Sequence, residues 1–226
     1  MNREITNGLW REYVSTMDIN EIQKRNLEAL GAELWGDIPF LYEINTLFGD
    51  KYQQRTSKNT DIIFEYEDGL YILRKEGAGI FLPEEKMKRI IIDMISIFEE
   101  ILPLGTVVDL RKEKLESQLD LSGVEHFRVV IVKRFVGVGR DIYYPYAGAL
   151  YPLGTAGEDK MISFSSALIE KVIHRGYSDE TEEQFVGLMK REIIIGHRKK
   201  PAGFCSTEEL QATRREMEEE QNGRAQ

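Results

Sequence analysis

One cysteine, three histidines, a Pro-Leu-Gly-Thr used twice and a run of tyrosines are the groups in this 226-residue chain whose types and spacing could do chemistry. A thiol nucleophile needs a base held against it. Cys205 lies in "RKKPAGFCSTEELQATRREMEEEQNGRAQ", where Phe204, Leu210 and Met217 are the only large apolar residues, so no scaffold holds a base there and the thiol reads as incidental. A zinc site needs histidine or cysteine ligands at short, fixed spacing. His126, His174 and His197 fall on different predicted elements and none has such a companion. A phosphate-cradling loop of the Walker kind runs from its glycines into Lys and then Ser or Thr. Neither "ILPLGTVVDL" (101–110) nor "ALYPLGTAGED" (149–159) does so, and their flanks share no period, so both read as corners preset by Pro and Gly. "FVGVGRD" (135–141) has Gly-x-Gly after a strand, but no third glycine and no helix follow; it reads as a hairpin corner rather than a dinucleotide fingerprint. The acids of "EYEDG", "EDK" and "SDETEE" sit in turns and helix starts, where they are expected for local reasons, and no two stand out as an acid and a base. No catalytic, cofactor-binding or metal-binding residue is expected, and the chain does not read as an enzyme.

The tyrosines remain. Tyr143, Tyr144, Tyr146 and Tyr151 lie in or beside one predicted strand. Tyrosine on a sheet is a rigid amphipathic contact group, enriched at protein interfaces and able to stack nucleobases. These four are the candidate partner-binding residues. Strand alternation equally allows alternate members to be core. Base stacking is disfavoured by 39 acidic against 30 basic residues, a net charge of −9 that repels phosphate backbones and anionic membranes.

The elements that must position these groups follow from periodicity. Ile5, Leu9, Trp10, Tyr13, Val14 and Met17 recur at helical spacing. Asp18 with Glu21 fits a capping box for a second helix, whose Ile22, Leu27 and Leu30 share a face before Gly31 stops it. Pro39 opens a third helix carrying Phe40, Leu41, Ile44, Leu47 and Phe48, and Gly49 with "DKYQQRTSKNT" makes a loop. "DIIFEYEDGLYILRK" is a hairpin turning on Asp68-Gly69, a dipeptide that accepts the positive φ of a tight turn. From Pro83 a long helix carries Met87, Ile90, Ile91, Met94, Ile95, Phe98 and Ile101, and Leu102-Pro103 ends it.

Strands dominate the second half of the chain: "GTVVDL", "HFRVVIVKRF", "IYYPYAGALY", "KMISF" and "KVIHRGY", separated by a polar loop at 111–125, Gly137 with Gly139, and the corner from Gly154 to Gly157. "SSALIE" fits one helical turn capped by Ser165 or Ser166, and "SDETEEQFVGLMKREIII" a helix with Phe185, Leu188 and Met189. The expected fold is α+β: a helix-rich N-terminal region with a β-hairpin (1–100), a small SH3-like curled antiparallel sheet closed by a C-terminal helix (101–197), and a polar tail, helical or disordered, that adds little to the core (198–226). The single cysteine cannot form an intrachain disulfide, "MNREITNGLWREYV" lacks the apolar core of a signal peptide, and "RIIIDMISIF" is too short and too interrupted to span a bilayer. These features lead to a cytoplasmic expectation with no membrane insertion.

The stretch "YAGALYPLGTAGEDKMISFSSALIEKVIHRGYSDETEEQF" resembles a known family, the domain of unknown function DUF4176. That family has an "LP-x-G-(S/T)-V-V" strand, then a tyrosine, a "GxxYPxG" corner, an aromatic strand leading to "I-x-x-V", and "GY" before an acidic helix. The matching residues are Leu102, Pro103, Gly105, Thr106, Val107 and Val108; Tyr146 and Gly148; Tyr151, Pro152 and Gly154; Phe164; Ile169 and Val172; Gly176 and Tyr177. The resemblance covers roughly 101–190. The chain departs from the family at "SFSSAL", where acidic and histidine-containing residues are usual, and in its longer segment at 111–125.

The resemblance implies context rather than chemistry. Members are typically encoded in type VIIb secretion loci of Gram-positive bacteria, beside toxins with an LXG targeting domain, and are thought to act as cytoplasmic accessory or chaperone-like factors. The expected partners are an LXG-type toxin, bound before export, and the secretion machinery, with no nucleic acid. Two alternatives stay open: an immunity protein that neutralises a toxin, and a small-barrel nucleic-acid-binding module using the tyrosine strand.

Overall fold

The first hundred residues are organised by one buried indole. In the computed structural model, which describes residues 2–49, 54–115, 125–154 and 161–224, helix α1 (Arg3–Ser15) presents Thr6, Leu9, Trp10, Tyr13 and Val14 as a single buried stripe. Trp10 donates its Nε1–H to the carbonyl of Leu27 in α2 (Glu21–Leu34), so the largest side chain of the core is also hydrogen-bonded. Gly31 lies beneath that ring: a Cβ there would sit 2.0 Å from the indole nitrogen. The glycine expected to end α2 instead lets two helices approach, and α2 continues three residues further. Its capping box is formed by Asn20 and Gln23, not by Asp18 and Glu21, and this register leaves Ile22 71% exposed rather than in the core.

Helix α3 (Ile38–Asn45) starts with Pro39 in its first turn, where a missing N–H costs nothing. Strands β1 (Arg55–Thr56), β2 (Ile63–Glu67), β3 (Leu70–Lys75) and β4 (Ala78–Leu82) form an antiparallel meander in that order. Asp68 and Gly69 turn the β2–β3 hairpin with φ of +50° and +88°. Glu76 and Gly77 repeat the same two-residue turn and add β4, a strand the sequence reading did not anticipate. Helix α4 (Glu84–Phe98) begins with charged, mostly exposed residues around the buried Met87 and is buried from Ile90 to Phe98. Asp93 within it accepts hydrogen bonds from Tyr13 Oη and Arg89 Nε, both 2.7 Å. The helix ends at Phe98, four residues before Leu102-Pro103.

The chain divides into two compact units, one made of 1–100 with 190–196 and the other of 101–189 with 197–226. In the second, β5 (Val107–Leu110), β6 (Arg128–Val138), β7 (Ile142–Leu150), β8 (Ile162–Phe164) and β9 (Ile169–His174) pair antiparallel in the order β7-β6-β5-β9, with β8 on the outer side of β7. The architecture is therefore mixed α+β, with helices at the start, a strand-rich sheet after them and helix at the end. Ser165 precedes a single 3-10 turn, Ser166–Leu168, without a side-chain cap. Helix α5 (Glu180–Lys190) opens with Asp179 accepting the N–H of Glu182 and continues as a π-helical turn, Arg191–Gly196.

The polar tail adds more than its composition suggests. Strand β10 (Lys200–Pro201) pairs parallel with the start of β7, Pro201 and Ala202 are buried, and α6 (Thr207–Arg224) sets Thr213 and Met217 against Gly139 in the β6–β7 turn. Of the loops expected from sequence, 50–53, most of 111–125 (116–124), and the acidic corner with Gly157 (155–160) lie outside the described residues.

Candidate functional site

The site is built around the turn 101–106. Gly105 takes φ of +79°, which lets its N–H donate to the carbonyl of Ile131, and Ile131 N–H returns a bond to Thr106 O. Fully buried, Thr106 donates its hydroxyl to Pro103 O and accepts the N–H of Gly176. Gly176 has no room for a side chain, since its Cβ would lie 2.0 Å from the carbonyl oxygen of Leu104. These contacts hold the chain at 176 against the chain at 104. They leave two side chains at the surface: Leu104 is half exposed, and Tyr177 is 83% exposed.

Beside that turn runs β6. Its pairing with β7 slips by one residue between Ile131 and Lys133, and Val132 at the slip points to solvent. Two residues on, Arg134 reaches α5. Its guanidinium makes a two-pronged ion pair with Glu182 and lies 5.7 Å from the ring centre of Phe185, so the cation is neutralised and stacked at once. Phe135 is held at φ of +52°, a conformation costing about 1–2 kcal/mol for a residue with a side chain, and its ring stacks on Tyr143. Leu104, residues 132–136, Phe185 and Met189 enclose an open groove of about 320 Å³. Phe185 is 47% exposed, and Leu188 on the next turn is also exposed.

The four tyrosines do not form a common face. Tyr143 and Tyr146 are 2% and 1% exposed, so they are core residues and not contact groups. Tyr146 packs on Phe164 and accepts the N–H of Leu102, while Tyr144 is half-buried and Tyr151 is exposed. The physical reason is that β7 has neighbours on both edges and is covered on both faces, so simple alternation does not apply to it. The groove residues escaped the sequence reading because Phe185, Leu188 and Met189 have the spacing of any helix that faces its own core. His126 Nδ1 lies 3.6 Å from the Asp109 carboxylate, while His174 and His197 are exposed on other elements. Among the described residues no three His, Cys, Asp or Glu side chains converge as metal ligands, and no helix is long and apolar enough to cross a membrane.

The motif residues divide in the same way. Gly105, Thr106 and Gly176 tie one turn, and Tyr146 and Phe164 fill the core. Gly148 admits Val129, whose Cγ1 would be 2.3 Å from a Cβ at that position. Gly154 takes φ of +65° after the cis Tyr151-Pro152 bond. All of these specify the fold, whereas Tyr151 and Tyr177 do not. No curated protein and no solved structure matches the chain. The stretch from 101 to 185, which contains β5 to β9, the tied turn and all of the groove lining but Met189, matches the family described as Domain of unknown function (DUF4176).

Proposed function

We propose that this protein is a cytoplasmic chaperone or targeting factor that binds an LXG toxin of a type VIIb secretion system before export. The observation that carries this reading is the open apolar groove of the second unit, lined by Leu104, Val132, Phe185 and Met189, with Tyr177 and Leu188 also exposed on the same unit. Groups of this kind gain most by leaving water, and aromatic anchors of this kind dominate binding energy at protein interfaces. The family context supplies the partner, because relatives of the domain are typically encoded beside LXG toxins. Charge acts on association rate and discrimination more than on affinity.

The reading is tested by co-expressing the full chain with the LXG toxin encoded beside it. A complex that survives size-exclusion chromatography, together with loss of toxin export when the chain is deleted, is the expected result. Protection of a toxin-challenged cell without any effect on export would make the chain an immunity protein instead. Retention on single-stranded DNA at low salt, with no toxin bound, would replace both with a nucleic-acid module.

A further inference from the structure

We propose that the groove beside β6 receives Tyr177 of a second copy of this chain, and that the two copies exchange this contact about a two-fold axis. The inference goes beyond the proposed function and does not need it, because it concerns the chain on its own.

The lining of the groove sets what it can hold. Leu104, Val132, Phe185 and Met189 make apolar walls, and the volume of about 320 Å³ lies at the lower end of the range for ligand sites, about 300–1,000 Å³. That is room for one large side chain. Two cations also line it: Lys133 is exposed, whereas the Arg134 side chain is only 5% exposed. Glu182 takes one N–H from each terminal nitrogen of the Arg134 guanidinium. Its Nε–H and the two remaining terminal N–H groups have no acceptor among the described residues. A buried donor without a partner is costly, so the site is complete only when an acceptor oxygen enters it. Glu182 already balances the charge of Arg134, and that oxygen is therefore best carried by an uncharged group. An apolar body tipped with a neutral oxygen describes tyrosine.

The chain displays such a group next to the groove. Tyr177 is 83% exposed, the highest value of any large apolar side chain described. Its backbone is held from both sides: Gly176 donates its N–H to Thr106 Oγ1, and Asp179 caps α5 by accepting from Glu182 and Glu183. A tyrosine presented in this way has two side-chain torsions to fix and loses little freedom on binding. The chain at 176 lies against residue 104, since a Cβ on Gly176 would be 2.0 Å from the Leu104 carbonyl oxygen, and Leu104 lines the groove. The projecting ring and the hollow are thus neighbours on one unit. Two neighbouring, complementary features satisfy each other in pairs when a second copy is turned by 180° about an axis between them, and the assembly closes at two.

The experiment is sedimentation equilibrium of the full chain alone over a concentration series, repeated for Tyr177→Ala, Tyr177→Phe and Phe185→Asp. Circular dichroism and the thermal midpoint verify that each variant is folded. The parent is expected in a reversible monomer–dimer equilibrium. Tyr177→Ala and Phe185→Asp should each weaken the dimer by about a hundredfold or more, because each dimer loses the contact twice. Tyr177→Phe keeps the ring but loses the oxygen that meets Arg134, and should weaken it by about tenfold. The decisive arm is a mixture. Tyr177→Ala retains an intact groove and Phe185→Asp an intact tyrosine, so the two mixed in equal amounts should associate more tightly than either does alone. A parent that stays monomeric at every concentration, a Tyr177→Ala chain that dimerises as the parent does, or a mixture no tighter than its components would each overturn the inference. A dimer lost with Phe185→Asp but kept with Tyr177→Ala would mean that another element of the second copy, such as a strand along the edge of β6, fills the groove, and the Tyr177 contact would fall. No toxin is present in these measurements, so their failure leaves the proposed function standing, and failure to bind a toxin leaves this inference standing.

Discussion

The two units treat their apolar side chains differently. Among the described residues of the first, only Ile22 and Phe81 are large, apolar and exposed; among those of the second there are nine, from Leu104 to Leu188. The first unit uses α4 as a central element, with Tyr13 stacked on Trp10, Phe98 edge-on to it, and the only buried carboxylate of that helix tied to Tyr13 and Arg89. The second spends its motif residues on one turn and one strand and leaves part of a sheet face open. A core that closes on itself is a statement about folding. Exposed apolar side chains around an open groove are what the proposed binding of a partner would use.

The sharpest way to test the first half of this contrast is Trp10→Ala. The indole is 1% exposed, fills the space above Gly31 and donates to Leu27, so truncation leaves a cavity and removes that second bond to the helix carbonyl. A loss of about 3–5 kcal/mol is expected in urea unfolding. Both tryptophans, Trp10 and Trp35, belong to this unit, so fluorescence of the remaining Trp35 follows its transition directly.

A second test concerns Lys190, which is fully buried in the first unit and donates to Ile97 O and Glu99 O at the end of α4. A cation suits the negative end of a helix, but burial outweighs this and pushes the amine down to about 7, with Glu99 and Glu100 acting in the opposite direction. Between about 7 and 10.5 the unfolded chain holds a proton on this amine that the folded chain does not. Stability from this group is therefore complete above the ordinary lysine value, and is lost as pH falls through 7. The unfolding free energy of the parent should rise from pH 7 to pH 10 more steeply than that of Lys190→Met. Parallel pH profiles for the two proteins would show that the amine stays charged inside the fold.

How much of this was legible depended on whether the deciding physics was local. Asp68-Gly69 announced its hairpin because positive φ is a property of the dipeptide itself. Glu76-Gly77 carried the same signal, but the strand after it, Ala78–Leu82, is short and contains Gly79, so its pairing with β3 is decided by the sheet and not by its own pattern. At the start of α2 both Asp18-x-x-Glu21 and Asn20-x-x-Gln23 satisfy the capping pattern. The fold took the second, and Ile22 went to solvent as a result. Tyr143 and Tyr146 went to the core for a similar reason: which faces of β7 are covered is set by β6, β8 and β10, whose residues lie outside β7's own pattern. Phe185 and Leu188 show the limit most plainly, since a helical stripe has the same spacing whether its own sheet covers it or another molecule does.

For the second unit the tied turn gives an intermediate effect. Gly176→Ala forces a methyl group into the Leu104 carbonyl, a backbone atom that cannot swing aside, and should cost about 1–3 kcal/mol. Hydrogen exchange of β5 and β6 amides should report the loss, because Thr106 links Gly176 to that turn. If exchange in those strands is unchanged while the protein remains folded, the motif glycine does not hold the sheet together.

The smallest expected change in stability is the most informative about the contrast. Phe185 is as large as many core residues, yet it is half exposed, and its contacts are one face against the Arg134 guanidinium and the wall of the groove. If it belonged to a closed core, Phe185→Ala would cost as much as Trp10→Ala. As part of an open surface it should cost only about 0.5–1 kcal/mol, because about half of the ring is already in water in the folded state and the Arg134 to Glu182 pair survives its removal. A thermal midpoint lowered as far as in Trp10→Ala would place Phe185 in the core of the second unit, and the distinction between a closed unit and an open one would collapse at the residue on which it depends most.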